Sequence, residues 1–168
     1  MNVLDVGCGH GPFARAVVES GARWIGVDAA VGILDFAGRD GTALDCACAD
    51  GSALPFDDER FDRALCVGVL NYHALQDVRG IVREIGRVLR PGGVAVVSTL
   101  RLDPITWARS RLYPAVPVPI AVPGPVYPHR ATALSDFLDE ARLTVTEELN
   151  VRKYGVQPHY ALLQLRRG

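Results

Sequence analysis

Short apolar runs alternate with amphipathic stretches along the first hundred residues of the chain. The apolar runs at 2–6, 24–28, 43–48, 62–67 and 93–99 are rich in Val, Ile, Leu and Ala, which is typical of strands covered on both faces. Strands that alternate with helical segments favour a parallel sheet with helices on both sides. The pattern therefore predicts a doubly wound α/β domain.

Helices are predicted between these strands at about 12–20, 30–38 and 74–89. The third has the clearest period, with apolar residues at three- and four-residue steps. These apolar positions are Leu75, Val78, Ile81, Val82, Ile85, Val88 and Leu89. The intervening polar positions are Asp77, Arg79, Arg83, Glu84 and Arg87. We expect the apolar face to lie on the sheet and the polar face to be solvated.

The composition changes after the fifth predicted strand. Seven prolines fall between Arg101 and Arg130, around a short helical pattern at 105–112, and a long irregular stretch inside a compact domain is typically a functional lid or a disordered segment. A helix over about 133–141, capped by Thr132, follows. Two last strands are predicted at 143–152 and 159–166. The chain is therefore interpreted as one domain over 1–168 with an insert at about 101–130.

A glycine-dense turn joins the first strand to the first helix. The segment reads Val-Leu-Asp-Val-Gly-Cys-Gly-His-Gly-Pro from Val3 to Pro12. Glycine permits positive φ angles and lets a ligand approach the backbone. The dinucleotide pattern Gly-x-Gly-x-x-Gly would place a small residue where Pro12 stands, and the Lys-Ser/Thr of a phosphate-binding loop is missing. These differences disfavour a dinucleotide site and a Walker-type phosphate loop, and the strand, glycine turn and helix start together predict a nucleotide-binding crevice.

The run from Asp5 to Gly11 resembles motif I of the class I S-adenosylmethionine-dependent methyltransferases. The likeness is closest to the small-molecule branch, of the methyltransferase type 11 kind, which includes the ubiquinone and menaquinone biosynthesis enzymes. It implies S-adenosylmethionine as cofactor and a Rossmann-like sheet in the order 3-2-1-4-5-7-6, mostly parallel with strand 7 antiparallel. It also implies that Asp28 binds the ribose hydroxyls and that Asp50 and Gly51 bind the adenine. The full set of implied cofactor-binding residues is Asp5, Gly7, Cys8, Gly9, Asp28, Ala29, Asp50, Gly51, Ser52, Cys66 and Val67.

Two readings stay open for several of these residues. Asp28 and Asp50 could instead cap a helix or close a turn, and Asp5 lies inside its strand, where it is better placed to brace the glycine turn than to touch a ligand. What favours ligand binding is that Asp28 and Asp50 both follow strands at the carboxyl edge of one sheet, where open α/β folds bind ligands.

The methyl acceptor is less well defined by the sequence. Tyr72 and His73 follow the fourth strand, near the expected methyl group, and His73 has a side chain able to deprotonate a hydroxyl or amine near neutral pH. A packing or helix-capping histidine is the alternative, as is a core role for Tyr72. The Asn/Asp-Pro-Pro-Tyr/Phe tetrad of amino-directed adenine and glutamine methyltransferases is absent, which favours a small-molecule acceptor.

The insert itself suggests what kind of acceptor this is. Its charges are Arg101, Arg109, Arg111 and Arg130 against Asp103. Its aromatic residues are Trp107, Tyr113 and Tyr127, with His129 beside them. An anionic or aromatic acceptor is one interpretation, and a simply solvated loop is the other.

Composition restricts the other possibilities. The chain has 168 residues, a net charge of −1 and 49% hydrophobic residues, so neither disorder nor a polyanion-binding surface is indicated. No apolar run is long enough for a membrane span and no signal core is present, so a cytoplasmic protein without nucleic-acid partners is expected. The cysteines 8, 46, 48 and 66 lack zinc spacing and are predicted to be small buried thiols, so no metal is expected.

Two features depart from the family pattern. Helices usually precede the first strand and cover the cofactor, yet here that strand begins at Asn2, so the chain is naturally short, is a fragment, or is covered by another subunit. Arg142-Leu143 stands where a helix-ending glycine is common. The missing cover leaves a non-catalytic S-adenosylmethionine-binding scaffold as an alternative function. An NAD-dependent oxidoreductase is a second alternative, which Pro12 and Asp50 disfavour.

Overall fold

The strands of the sheet bury mostly apolar side chains, among them those of Leu4, Phe61 and Leu163. The computed structural model describes residues 1–39, 45–101, 129, 131–151 and 159–168. The strands are β1 (Asn2–Val6), β2 (Arg23–Asp28), β3 (Cys46–Cys48), β4 (Phe61–Cys66), β5 (Leu89–Arg101), β6 (Leu143–Val151) and β7 (His159–Arg167). The helices are α1 (Ala14–Glu19), α2 (Val31–Arg39), α3 (Leu75–Val88) and α4 (Ala131–Glu140), with a 3₁₀ turn at Leu70–Tyr72.

Within these residues the strands form one sheet in the order β3-β2-β1-β4-β5-β7-β6. Strands β1 to β5 pair in parallel, whereas β7 is antiparallel to both β5 and β6. The predicted fold class and strand order are thus confirmed. Because β1 and β4 are adjacent and the chain leaves them in opposite directions across the sheet, their carboxyl ends open a crevice.

Helix α3 supplies the largest contribution to the core. Val78, Ile81, Val82 and Ile85 are all buried on the face predicted for them, and they join residues of β4, β5, β7 and α4 in one cluster. The prediction for this helix was wrong at two positions. Leu75, expected on the apolar face, is 40% exposed. Glu84 is only 6% exposed, because its carboxylate finds hydrogen-bond partners under the loop that follows β3.

The start of the fifth strand differs from the sequence prediction. This strand was expected at 93–99, but β5 already begins at Leu89, which pairs with Phe61 before a register shift. Gly92, at φ 76°, allows that irregularity. At the end of α4, Arg142 takes the positive φ of 55° that a glycine usually supplies, and its N–H bonds to the carbonyl of Asp139.

The cysteines are only partly buried as predicted. Cys8 and Cys66 are buried and Cys46 is half-buried, but Cys48 is exposed because β3 is an edge strand. In the part of the chain that the structure describes, no group of His, Cys, Asp and Glu side chains is arranged to hold a metal ion. None of the described helices is long and apolar enough to cross a membrane.

Several predictions concern residues outside the described ranges. These are the Pro-rich insert apart from Arg101 and His129, its helix at 105–112, and the first part of the predicted third strand. The prediction that Thr132 caps a helix over about 133–141 was wrong, because α4 already begins at Ala131 and Thr132 lies within its first turn.

Candidate active site

The glycine turn folds back on the end of β2. The N–H groups of Gly7 and Cys8 both donate to the carbonyl oxygen of Val27, at 2.8 and 3.0 Å. Gly7 has a φ of 68°, and a Cβ there would clash with the side chain of Val69, so only glycine fits. The turn therefore lies in direct contact with the loop after β4, on the other side of the crevice.

Asp28 stands at the carboxyl end of β2 and binds this turn. Its Oδ2 accepts a hydrogen bond from the N–H of Gly9 at 2.9 Å, and its Oδ1 accepts one from the N–H of Ala30, also at 2.9 Å. Each carboxylate oxygen has lone pairs for about two hydrogen bonds. The carboxylate is thus oriented by two backbone donors and keeps an acceptor position on each oxygen.

Asp5 lies below the turn and is buried, with 2% exposure. Its Oδ2 accepts the indole N–H of Trp24 at 3.2 Å. Burial, opposed by this hydrogen bond and reinforced by the nearby Asp28, raises the pKa of Asp5 to about 6. The described hydrogen bond of this side chain is therefore to β2, and its bracing of the glycine turn stays a prediction.

A third group of residues follows β3. Asp50 is exposed, and its Oδ1 accepts both the backbone N–H and the hydroxyl of Ser52, each at 2.8 Å. These hydrogen bonds hold the pKa of Asp50 below its usual value. Gly51 packs closely, since a Cβ there would lie 3.1 Å from Val6. An ionised carboxylate and a side-chain-free backbone are thus presented side by side.

A cleft of about 370 Å³ connects this group with the start of α3. Its lining is Asp50, Ser52, His73, Gln76, Asp77, Gly80, Ile81 and Arg83. The structure therefore brings His73 to the same cleft as Asp50 and Ser52. Tyr72 lies beside it, half-buried, in the 3₁₀ turn.

The remaining predicted residues are not among those that line this cleft. The Cys8 and Cys66 thiols are buried, and burial raises the pKa of both, so neither is a reactive thiolate. Val67 is half-buried, and Ala29 is exposed beside Asp28. After Val67 the chain turns at Gly68, whose N–H donates to the Ser98 hydroxyl at 2.7 Å.

Sequence reasoning missed the part played by His129. It is 5% exposed, and its Nε2 lies 3.0 Å from the carbonyl oxygens of both Leu70 and His73. Tyr160 was also missed: it is half-buried on β7, and this burial together with nearby Tyr72 raises its pKa. No local pattern could have found either residue, because both approach the turn from distant parts of the chain.

Comparisons with known proteins agree with this architecture. Residues 4–97, more than half of the chain, match the family described as a methyltransferase domain. Over 98 residues the chain is 37% identical to the malonyl-[acyl-carrier protein] O-methyltransferase of Yersinia pestis. That alignment covers 58% of this chain but only 36% of the relative, so the chain spans little more than a third of that protein.

Solved structures extend the likeness to the whole sheet. A methyltransferase of Methanosarcina mazei, described as S-adenosylmethionine-dependent, has a TM-score of 0.82 at 16% identity, with 99% of this chain and 92% of that chain covered. The magnesium protoporphyrin IX methyltransferase of Synechocystis PCC 6803, solved with bound S-adenosylhomocysteine, has a TM-score of 0.80 at 14% identity, covering 99% and 74%. At these identities the likeness demonstrates a shared fold. Together with the match over residues 4–97, it shows that this chain belongs to the methyltransferase domain family.

Proposed function

We propose that this protein transfers a methyl group from S-adenosylmethionine to a small-molecule acceptor. The observation that carries the proposal is the carboxylate of Asp28, which two backbone N–H groups at 2.9 Å orient at the mouth of the glycine turn. A hydrogen-bond acceptor held in this orientation suits a vicinal diol, which offers two hydroxyl donors side by side. The ribose of the cofactor carries that group.

The surrounding residues fit the rest of the cofactor. Asp50 offers an ionised oxygen for the adenine amino group, and Gly51 offers a backbone N–H for a ring nitrogen. Gly7 and Gly9 leave room for close approach of the chain that carries the sulfur, because neither has a side chain. The residues Asp5, Cys8, Ala29, Ser52, Cys66 and Val67 complete the proposed set, with Asp5, Cys8 and Cys66 acting through the backbone that their buried side chains hold in place. When bound, S-adenosylmethionine supplies a methyl group already activated by its sulfonium.

Because the methyl group arrives activated, the protein contributes mainly by positioning. Well-oriented intramolecular reactions show effective molarities on the order of 10⁵ to 10⁸ M. His73 shares its cleft with Asp50 and Ser52, and the acceptor is proposed to bind beside His73 and its neighbour Tyr72. Tyr72 shapes the acceptor pocket, and His73 takes the proton that the acceptor hydroxyl or amine loses on methylation.

The acceptor is proposed to be small and either anionic or aromatic. The Yersinia pestis relative is named for a malonyl-[acyl-carrier protein] acceptor and the Synechocystis neighbour for magnesium protoporphyrin IX. Here the net positive charge and the aromatic residues of 101–130 support an acceptor of this kind, with that segment acting as lid of a single cytoplasmic domain.

Calorimetry with S-adenosylmethionine and S-adenosylhomocysteine tests the cofactor assignment, and incorporation of labelled methyl into a panel of anionic and aromatic metabolites tests the transfer. Saturable binding followed by labelling of one acceptor is expected. Binding without turnover on any acceptor would indicate the scaffold function, and no binding by folded protein would overturn the proposal.

A further inference from the structure

Arg87 of α3 forms hydrogen bonds to the loop that follows β3. The guanidinium of Arg87 donates to the carbonyl oxygens of Leu54 at 3.1 Å and Phe56 at 2.7 Å, and to the Asp58 carboxylate at 2.8 Å. The same group makes a bidentate pair with Glu84, at 2.8 and 2.9 Å. Its donors are therefore shared between a helix and three positions of a loop.

Glu84 completes the attachment. Its Oε2 accepts the backbone N–H of Leu54 at 2.9 Å, so Leu54 is held at both its N–H and its carbonyl oxygen. The side chain of Glu84 is only 8% exposed and that of Arg87 30% exposed. Hydrogen bonds from Arg87 and Leu54 lower the pKa of Glu84. A charge pair so shielded from solvent holds its geometry more firmly than a surface pair.

The first residues of the same loop pack against α3. Ser52 lies against Gly80, where a Cβ would stand 2.9 Å from the Ser52 Cβ. The N–H of Ala53 donates to the carbonyl oxygen of Asp50 at 3.0 Å. The loop from Asp50 to Asp58 therefore runs along α3 from Gly80 to Arg87, and its backbone is fixed at both ends.

The Asp50 side chain depends on this support. It is exposed, so no packing around the carboxylate sets its position, and its described hydrogen bonds are to Ser52 two residues further along the same loop. A local turn of this kind moves with the backbone that carries it. The position of Asp50 relative to β1 and β2 is consequently set by what holds the loop as a whole.

We infer that Glu84 and Arg87 are positioning residues for adenine recognition, which hold Asp50 and Gly51 in place through the backbone of residues 54–56. This inference rests on the proposed function. It assigns the selectivity of the site for adenine over other nucleobases to an ion pair that does not itself touch the ligand.

The test compares Arg87→Lys with Arg79→Gln. Lysine keeps the charge but lacks the planar fork that reaches Glu84 and two carbonyls together. Arg79 is the matched control, because it also lies on α3 and makes a bidentate pair at 2.8 Å, but with Glu140 of α4, away from the loop. Calorimetry measures the affinity of each protein for S-adenosylhomocysteine and for S-inosylhomocysteine, which carries a 6-oxo group in place of the adenine amino group. Hydrogen exchange in peptides over 50–58 reports loop order without ligand.

The wild type is expected to prefer the adenine compound by about 10- to 100-fold, as a charged hydrogen bond predicts. Arg87→Lys should reduce that preference severalfold and speed exchange over 50–58, while Arg79→Gln changes neither. An unchanged preference in Arg87→Lys, or equal loss of affinity for both compounds, would overturn the inference, since the second result marks a purely structural role.

If Arg87→Lys does not fold, Glu84→Gln takes its place. Glutamine keeps the volume and an oxygen for the Leu54 N–H but removes the charge that Arg87 pairs with. Failure of the wild type to bind either compound would refute the proposed function instead. In that case the exchange experiment still tests whether the pair orders the loop, and unchanged exchange in both variants would overturn this inference as well.

Discussion

The Nε2 atom of His129 lies 3.0 Å from the carbonyl oxygen of His73, and the same atom lies 3.0 Å from the carbonyl oxygen of Leu70. Both partners can only accept, so Nε2 carries the hydrogen and shares it between them. The imidazole thus closes the turn that presents Tyr72 and His73, 56 residues away from His73 in the chain.

His129→Leu should loosen this turn. Leucine fills a similar space but removes the donor to the His73 carbonyl oxygen and one of the two donors to the Leu70 carbonyl oxygen. This loss costs about 1–3 kcal/mol of unfolding free energy. We expect faster hydrogen exchange at the amides of Tyr72 and His73, whose bonds to Val69 and Leu70 close the turn. His129→Gln, which places an amide N–H near the position of Nε2, is the control and should restore most of the protection. Equal exchange in the wild type and His129→Leu would contradict this prediction.

Asp28→Asn should weaken cofactor binding strongly. The amide replaces one carboxylate oxygen with a donor, which then faces the N–H of Gly9 or Ala30 and removes one acceptor for the ribose. Loss of charged hydrogen bonds to both hydroxyls predicts roughly a 100-fold rise in the dissociation constant for S-adenosylmethionine. Calorimetry provides the measurement, and Asp35→Asn, at an exposed position on α2, provides the control with the same chemical change.

The buried carboxyl of Asp5 predicts a pH-dependent stability. Its folded pKa of about 6 exceeds the value of 3.8 for the exposed group, so its contribution to stability is complete below pH 3.8 and is lost as pH rises through 6. Above pH 6 this loss is complete and amounts to about 2–3 kcal/mol of unfolding free energy. Asp5→Asn keeps an oxygen for the Trp24 indole but cannot ionise, so it should be more stable than the wild type at pH 8 and lose that advantage near pH 4.

Urea unfolding at both pH values measures this difference. Trp24→Phe provides an independent check, because the indole hydrogen bond favours the ionised carboxylate and its removal should raise the pKa of Asp5 further in a carboxyl NMR titration. A pKa that falls in Trp24→Phe, or an Asp5→Asn advantage independent of pH, would be inconsistent with the assignment.

A set of three glycine substitutions separates backbone strain from steric contact. Gly7→Ala meets both a positive φ of 68° and the Val69 side chain, whereas Gly21→Ala meets a positive φ of 80° in open space. Gly32→Ala lies within α2, with nothing within 4 Å, and should be neutral or stabilise by about 0.5–1 kcal/mol. Thermal unfolding should give the lowest midpoint temperature for Gly7→Ala, a higher one for Gly21→Ala and the highest for Gly32→Ala. The double variant Gly7→Ala with Val69→Ala should recover to the level of Gly21→Ala; no recovery would show that contact with Val69 is not the cause.

Local patterns were sufficient for most of the fold. The run from Leu75 to Val88 has a helical period strong enough to locate α3 within one residue at each end, because burial of a continuous apolar face dominates helix stability. The strand order was implied by the resemblance of Asp5 to Gly11 to a methyltransferase motif, and not by periodicity. The positions of Asp28 at the end of β2 and of Asp50 after β3 were readable from the sequence, because parallel strands bring their carboxyl ends to one edge of the sheet.

What the linear order of residues could not reveal is which polar groups meet across the fold. The pattern placed Glu84 among solvated residues, although the folded chain buries it against Leu54, 30 positions away. It grouped His129 with the Pro-rich insert, although its imidazole closes the turn at His73. Periodicity reports only which side of an element is apolar. A buried hydrogen bond instead depends on two groups brought within about 3 Å from distant segments, and that distance exists only once the sheet and its helices have packed.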